Sequence, residues 1–177
     1  MNELNGYDIE DLSVDMTATF SKTITEADIV LFAGVSGDNN ALHINEEFAA
    51  TTSFGGRMAH GFLTASVISA AIANKLPGPG TIYLRQTLGF RAPVRPGDTV
   101  HATVRVKEVL HEKRRVVLET MCRVRGAVVV DGEALVMVTS GEGRLALARE
   151  HRITQTPKTI GCCRLRSGRC RKSRPEA

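Results

Sequence analysis

No stretch of this 177-residue chain stays apolar for the roughly 18 residues that a membrane-crossing helix needs, so no membrane span is expected. The N-terminus lacks the basic start and apolar run of a secretory signal and carries Glu3, Asp8, Glu10 and Asp11 instead. Cysteine is scarce: Cys122 is alone in the first 148 residues, and Cys162, Cys163 and Cys170 crowd into the remainder. An isolated cysteine in an alternating segment reads as a small core residue in a reducing compartment. The histidines and cysteines show no zinc-type ligand spacing, and adjacent Cys162-Cys163 fits one poorly, so no metal and no cofactor are expected. Internal repeats and low-complexity blocks are missing as well. These absences leave a cytoplasmic enzyme or binding domain as the default.

The length suits one domain, and 42% hydrophobic with 24% charged residues is ordinary for a protein with a sizeable core. The net charge of +4 is unevenly spread. Residues 149–177 hold nine of the 23 Lys and Arg and two of the 19 acids, a net +7, which leaves residues 1–148 at −3. We read residues 1–148 as the domain and 149–177 as a basic extension, expected to be disordered because it has no apolar period. Such a tail can attract nucleic acid, but a fortuitous appendage is the simpler reading, and no nucleic-acid partner is expected.

Thr25-Glu26-Ala27-Asp28 has the pattern of a capped helix start, with Ile29, Leu31, Phe32 and Val35 as its apolar face. Gly34 and Ser36 to Asn40 break that helix into a polar loop, Asn45 can cap a second short helix, and Gly55-Gly56 forms a turn. From Gly61 to Leu76 every helical face is apolar and the first charge is Lys75. Such a helix, about 24 Å long, is expected to be buried all round. Pro77-Gly78-Pro79-Gly80 ends it. The period then changes to two. Residues 81–90 read as a strand, Arg95-Pro96-Gly97-Asp98 as a turn, and Val100, Ala102, Val104 and Val106 alternate with polar residues. Val116, Leu118, Thr120, Cys122 and Val124 form a third strand, and 127–139 a fourth with a turn or bulge signal at Asp131-Gly132. One buried helix followed by an antiparallel meander implies an α+β domain whose sheet wraps around the helix.

The chemistry concentrates in Ser36-Gly37-Asp38-Asn39-Asn40-Ala41-Leu42-His43 and in Phe54-Gly55-Gly56-Arg57-Met58-Ala59-His60-Gly61. Irregular backbone can aim Asp38 and His43 at one water, as a general acid–base pair. Gly61 opens the apolar helix, where free N–H groups and the helix dipole favour developing negative charge. Taken by spacing alone, Asp38 can equally be a turn residue, Asn40 an Asx-turn and His43 a packed or surface histidine. Arg85, Gln86 and Arg91 can meet the phosphates of a carrier, although lone polar residues on strands are usually a solvated face. His60 reads as a packing or hydrogen-bonded histidine rather than a second catalyst.

Residues 32–64, FAGVSGDNNALHINEEFAATTSFGGRMAHGFLT, closely resemble the signature of the R-specific enoyl-CoA hydratases, the MaoC-like branch of the hot-dog superfamily. Residues 81–100, TIYLRQTLGFRAPVRPGDTV, resemble that family's next block, and the likeness runs from about residue 14 to residue 140. It implies a hot-dog fold, a homodimer with active sites at or near the subunit interface, and a hydro-lyase. The reaction would be reversible hydration of a trans-2-enoyl-CoA to the (R)-3-hydroxyacyl-CoA, serving polyhydroxyalkanoate precursor supply or fatty-acid metabolism. By position Asp38 and His43 match the catalytic pair, Asn40 the orienting asparagine and Gly61 the oxyanion-hole amide. Ser69 and Ile72 fall where related enzymes line the acyl pocket, 8 and 11 residues beyond Gly61 and near its helical face. The departure is Ala41, where the family usually has proline. The rival readings are a 3-hydroxyacyl-[acyl-carrier-protein] dehydratase, a hot-dog thioesterase and a non-catalytic acyl-CoA-binding domain.

Overall fold

A computed structural model describes residues 6–141, so the boundary at 148/149 and the basic tail lie outside the described residues. Its framework is a five-stranded, wholly antiparallel sheet in the order β1-β3-β4-β5-β2. The strands are β1 (Thr17–Thr23), β2 (Ile82–Phe90), β3 (Thr99–Leu110), β4 (Arg115–Val124) and β5 (Ala127–Met137). Alternation assigns the faces. Val100, Ala102, Val104 and Val106 of β3, Val116, Leu118 and Cys122 of β4, and Val130, Ala134 and Val136 of β5 point inward and are buried. The opposite face is polar and paired across strands: Thr19 with Thr103, Ser21 with His101, and Arg105 with Glu119.

Four helices lie between β1 and β2: α1 (Glu26–Ser36), α2 (Ala41–Ile44), α3 (Glu46–Ala50) and α4 (Gly61–Asn74). The long helix α4 packs on β1, β3 and β4, so the sheet curls around it as the hot-dog arrangement requires. Leu63, Thr64, Val67, Ile68, Ala71 and Ile72 form its buried face. No helix among the described residues is long and apolar enough to cross a membrane.

Two expectations need correction, and one strand has no counterpart among the elements expected from sequence. The helix α4 is not buried all round in the single chain: Phe62 is 67% exposed, and Ser66, Ser69 and Ala73 also face outward, because one sheet covers one side of a helix. The signal at Asp131-Gly132 is neither turn nor bulge, since β5 runs straight through it. A Cβ at Gly132 would lie 1.8 Å from the Thr87 carbonyl oxygen, so glycine permits close strand contact there. The register shift between β4 and β5 falls instead at Cys122/Arg123. The strand β1 had no clear signal, because its half-buried positions are Ala18, Phe20 and Lys22, two apolar residues and a cation.

Candidate active site

The segment from Ser36 to Gly61 is irregular, and side chains bonded to backbone hold it. Thr25 and Asp28 cap α1 reciprocally, as the Thr-x-x-Asp pattern suggests, and α1 ends on Gly37 at φ +77°, a conformation that glycine tolerates best. The Asp38 N–H then donates to Ser36 Oγ (3.2 Å) and the Asn40 N–H to Asp38 Oδ1 (3.3 Å). Asn40 Oδ1 accepts from the Leu42 N–H at 3.0 Å and so caps α2, and Asn45 caps α3 in the same way. Arg57 clamps the far end of the loop through Glu26 on α1 (2.7 Å) and Glu46 on α3 (3.0 Å), which hold its guanidinium above its ordinary pKa. Arg95 donates to the carbonyls of Arg57 and Phe54.

This scaffold brings Asp38, His43 and His60 together: one ligand-type atom from each lies within 4.8 Å of the others. His43, on α2 and 9% exposed, has Nδ1 2.9 Å from the Met58 carbonyl. A carbonyl only accepts, so Nδ1 carries the proton and a neutral ring presents Nε2 as an acceptor. His60 is 1% exposed and stands immediately before α4. Its Nε2–H donates to the Asp38 carbonyl at 3.0 Å, and its ring lies 3.9 Å from that of His43 at an interplanar angle of 35°. Three ligand-type residues therefore gather here, close enough together to share one water.

A cavity of about 360 Å³ opens beside this cluster, lined by His43 and Gly61 together with Leu42, Phe54, Thr64 and Phe90. Its walls are mostly apolar, and the first N–H groups of α4 have no partner within the helix. A Cβ on Gly61 would come within 2.8 Å of the Phe90 ring, so any larger residue where the helix meets the cavity would push that ring aside. Below it, Cys122 is a fully buried core thiol, pushed up to about 12 by burial.

The sequence-derived site therefore divides. Asp38, Asn40, His43 and Gly61 gather within one loop–helix junction, although Asp38 and Asn40 are exposed and only His43 and Gly61 belong to the cavity wall. Asn40 spends its side-chain oxygen on the α2 cap. Ser69 is exposed and Ile72 is 1% exposed in the core, and neither lines this cavity in the single chain. Arg85 is exposed, Gln86 bonds to Thr120, and Arg91 lines the cavity while paired with Asp131. Phe54, Thr64 and Phe90 were not singled out from sequence. Gly61 and Thr64, one turn apart on α4, offered the available signal.

Residues 12–127 match the MaoC-like domain. The (R)-specific enoyl-CoA hydratase of Rhodospirillum rubrum is 54% identical over 129 residues, covering 73% of this chain and 90% of that protein. The 3-hydroxybutyryl-CoA dehydratase of Methylorubrum extorquens is 50% identical over 140 residues, covering 79% and 89%. Among solved structures, the unliganded R-hydratase PhaJ1 of Pseudomonas aeruginosa superposes with a TM-score of 0.73 at 46% identity, over 77% of this chain and 88% of that one.

Proposed function

Because this chain belongs to the MaoC-like domain family, we propose that it is an (R)-specific enoyl-CoA hydratase, a hydro-lyase adding water reversibly to a trans-2-enoyl-CoA to give the (R)-3-hydroxyacyl-CoA. The observation that carries this reading is the placement of Asp38 and His43, within reach of one bridging water, beside an apolar cavity that has Gly61 on its wall.

A water between these groups donates one hydrogen bond to the Asp38 carboxylate and one to His43 Nε2. Its free lone pair is then available for C3 of the enoyl chain. As the O–C3 bond forms, the C2=C3 electrons move toward the thioester carbonyl, and Asp38 takes the water proton. The Gly61 N–H meets the enolate oxygen, where the N-terminal end of α4 is worth most. The proton now held by the Asp38–His43 pair then passes to C2, so that the H and OH of one water are both added and the site is regenerated. Asn40 keeps His43 in register by starting the helix that carries it. Ser69 and Ile72 remain our candidates for the acyl pocket, in an assembly larger than one chain.

That assembly is a homodimer. Among the described residues, the edge strand β2 has no strand partner on one side, and Ile82, Leu84 and Phe90 on it, with Phe62 on α4, are 43–67% exposed. A second copy covering this face would supply what one sheet does not. Sedimentation at micromolar concentration should find a dimer, and an active monomer would remove this part of the proposal. The buried, unpaired Cys122 is consistent with a reducing, cytoplasmic setting.

The activity test is direct. Purified protein given crotonyl-CoA should lower the enoyl absorbance without releasing free thiol. Thiol release would identify a thioesterase, and no change with any chain length would identify a binding domain. A strong preference for crotonyl-[acyl-carrier protein] over crotonyl-CoA would move the assignment to the carrier-protein dehydratase.

A further inference from the structure

Two histidines meet at the site, but only one reaches the cavity. His43 is on its wall, whereas His60 lies behind, buried between the rings of His43 (3.9 Å) and Phe32 (4.9 Å). We propose that His60 is a positioning residue for hydration, holding Asp38 and His43 in register through one side chain at the residue that leads into Gly61. The inference rests on the hydratase reading above.

Three contacts place His60 between the acting groups. Its Nε2–H binds the Asp38 carbonyl and fixes the exposed loop that carries the carboxylate. Its ring face supports His43, whose other ring constraint is the Nδ1–H bond to Met58. Its backbone carbonyl accepts the Thr64 N–H at 3.1 Å in the first turn of α4, so the residue stands next to Gly61. Loop and short helix therefore converge on one imidazole, whose residue leads directly into the long helix. The three groups must agree to within a fraction of an ångström for one water and one enolate oxygen.

Packing alone does not explain a histidine there. Among the described residues, His60 Nδ1 is buried without a hydrogen-bond partner. A phenyl ring would fill a similar space without burying an unmet polar atom. Against that gain, the Asp38 carbonyl would lose its His60 donor, so the two changes offset in part. The histidine thus contributes little to folding that an apolar ring would not match. What it adds is the tie between Asp38 and His43.

Two variants separate these contributions. His60→Phe keeps a ring against His43 and loses the donor to Asp38. His60→Gln can keep a donor and loses the ring. With crotonyl-CoA, kcat should fall about 10–100-fold in both, on the scale of a small misplacement of reacting groups. KM, and the Kd of the unreactive saturated thioester butyryl-CoA, should stay within about threefold, since neither change touches the cavity wall. The Tm of His60→Phe should stay close to that of the wild type, so activity and stability part company. An active wild type whose two variants keep kcat within about threefold overturns the role of His60 alone. So does a kcat that falls only in step with Tm, or a loss confined to KM. A wild type that hydrates no enoyl-CoA overturns the parent reading and this inference with it.

Discussion

The sheet with the inner face of α4, and the loop–helix segment between α1 and α4, are held together by different forces. In the first, a row of fully buried Val, Leu and Ala side chains packs one face of β3, β4 and β5 against the helix. In the second, the backbone is irregular, and order comes from side-chain caps, the Arg57 clamp on two glutamates, and two histidines bound to carbonyls. Burial is non-directional and tolerates modest repacking, whereas hydrogen bonds fix positions and orientations. The division lets one region carry stability and the other carry geometry. Mutations in the two regions should therefore move different observables.

The largest separation is expected at the acid–base pair. Asp38→Asn and His43→Gln should each lower kcat by about 10²-fold or more, through loss of proton transfer to and from the water. The Tm should change little for Asp38→Asn, because Asp38 is exposed. Steady-state kinetics with crotonyl-CoA beside thermal melts would show it. Near-normal turnover in either variant would break the contrast at its centre.

Leu118→Ala should do the reverse. Leu118 is fully buried on β4, and truncation there should cost about 2–5 kcal/mol in a denaturant titration. The kcat of the fraction that remains folded should stay close to that of the wild type. A large fall in kcat with little loss of stability would show that the sheet tunes the site directly.

Asp28 offers a finer probe at the boundary between the regions. The Thr25 backbone N–H first, then the Thr25 hydroxyl and Lys22, hold its carboxyl down to about 2. A lowered carboxyl pKa stabilises the fold fully above the unfolded value of roughly 4, and that contribution is lost as pH falls toward the folded value of about 2. Asp28→Asn should therefore lower Tm at pH 6 but converge with the wild type between about pH 4 and pH 2. Parallel Tm curves down to pH 2 would assign the loss to something other than the ionised carboxylate.

The smallest effect should come from Ala41→Pro. Ala41 is the first residue of α2, and Asn40 before it has φ −55° and ψ 130°, compatible with a following proline. The substitution should raise stability by about 0.4–1 kcal/mol by stiffening the unfolded chain, without harming kcat. A destabilised variant would mean that the loop has drifted from the geometry which places Asp38.

How far each region was legible follows from the same contrast. The strands β3 and β4 were readable because burial imposes an alternate period on them, and α4 because its sequence is apolar and free of charge up to Lys75. β1 was missed because an edge strand with Lys22 at a half-buried position weakens that period. The site residues Asp38, Asn40, His43 and Gly61 carried no period, and resemblance to a known signature singled them out. Their neighbours Phe54 and Phe90 are 36 residues apart and meet only in the folded chain. His60 was readable as hydrogen-bonded, but not its stacking on His43, since spacing does not predict which ring faces which.

The measurement that tests the account most directly is the configuration of the product formed from crotonyl-CoA, read by chiral chromatography after enzymatic turnover. With Asp38 and His43 presenting one water from one side of the cavity, water reaches a single face of C3, and the account predicts (R)-3-hydroxybutyryl-CoA as the dominant product. Racemic product, the (S) enantiomer, or released crotonate would contradict it.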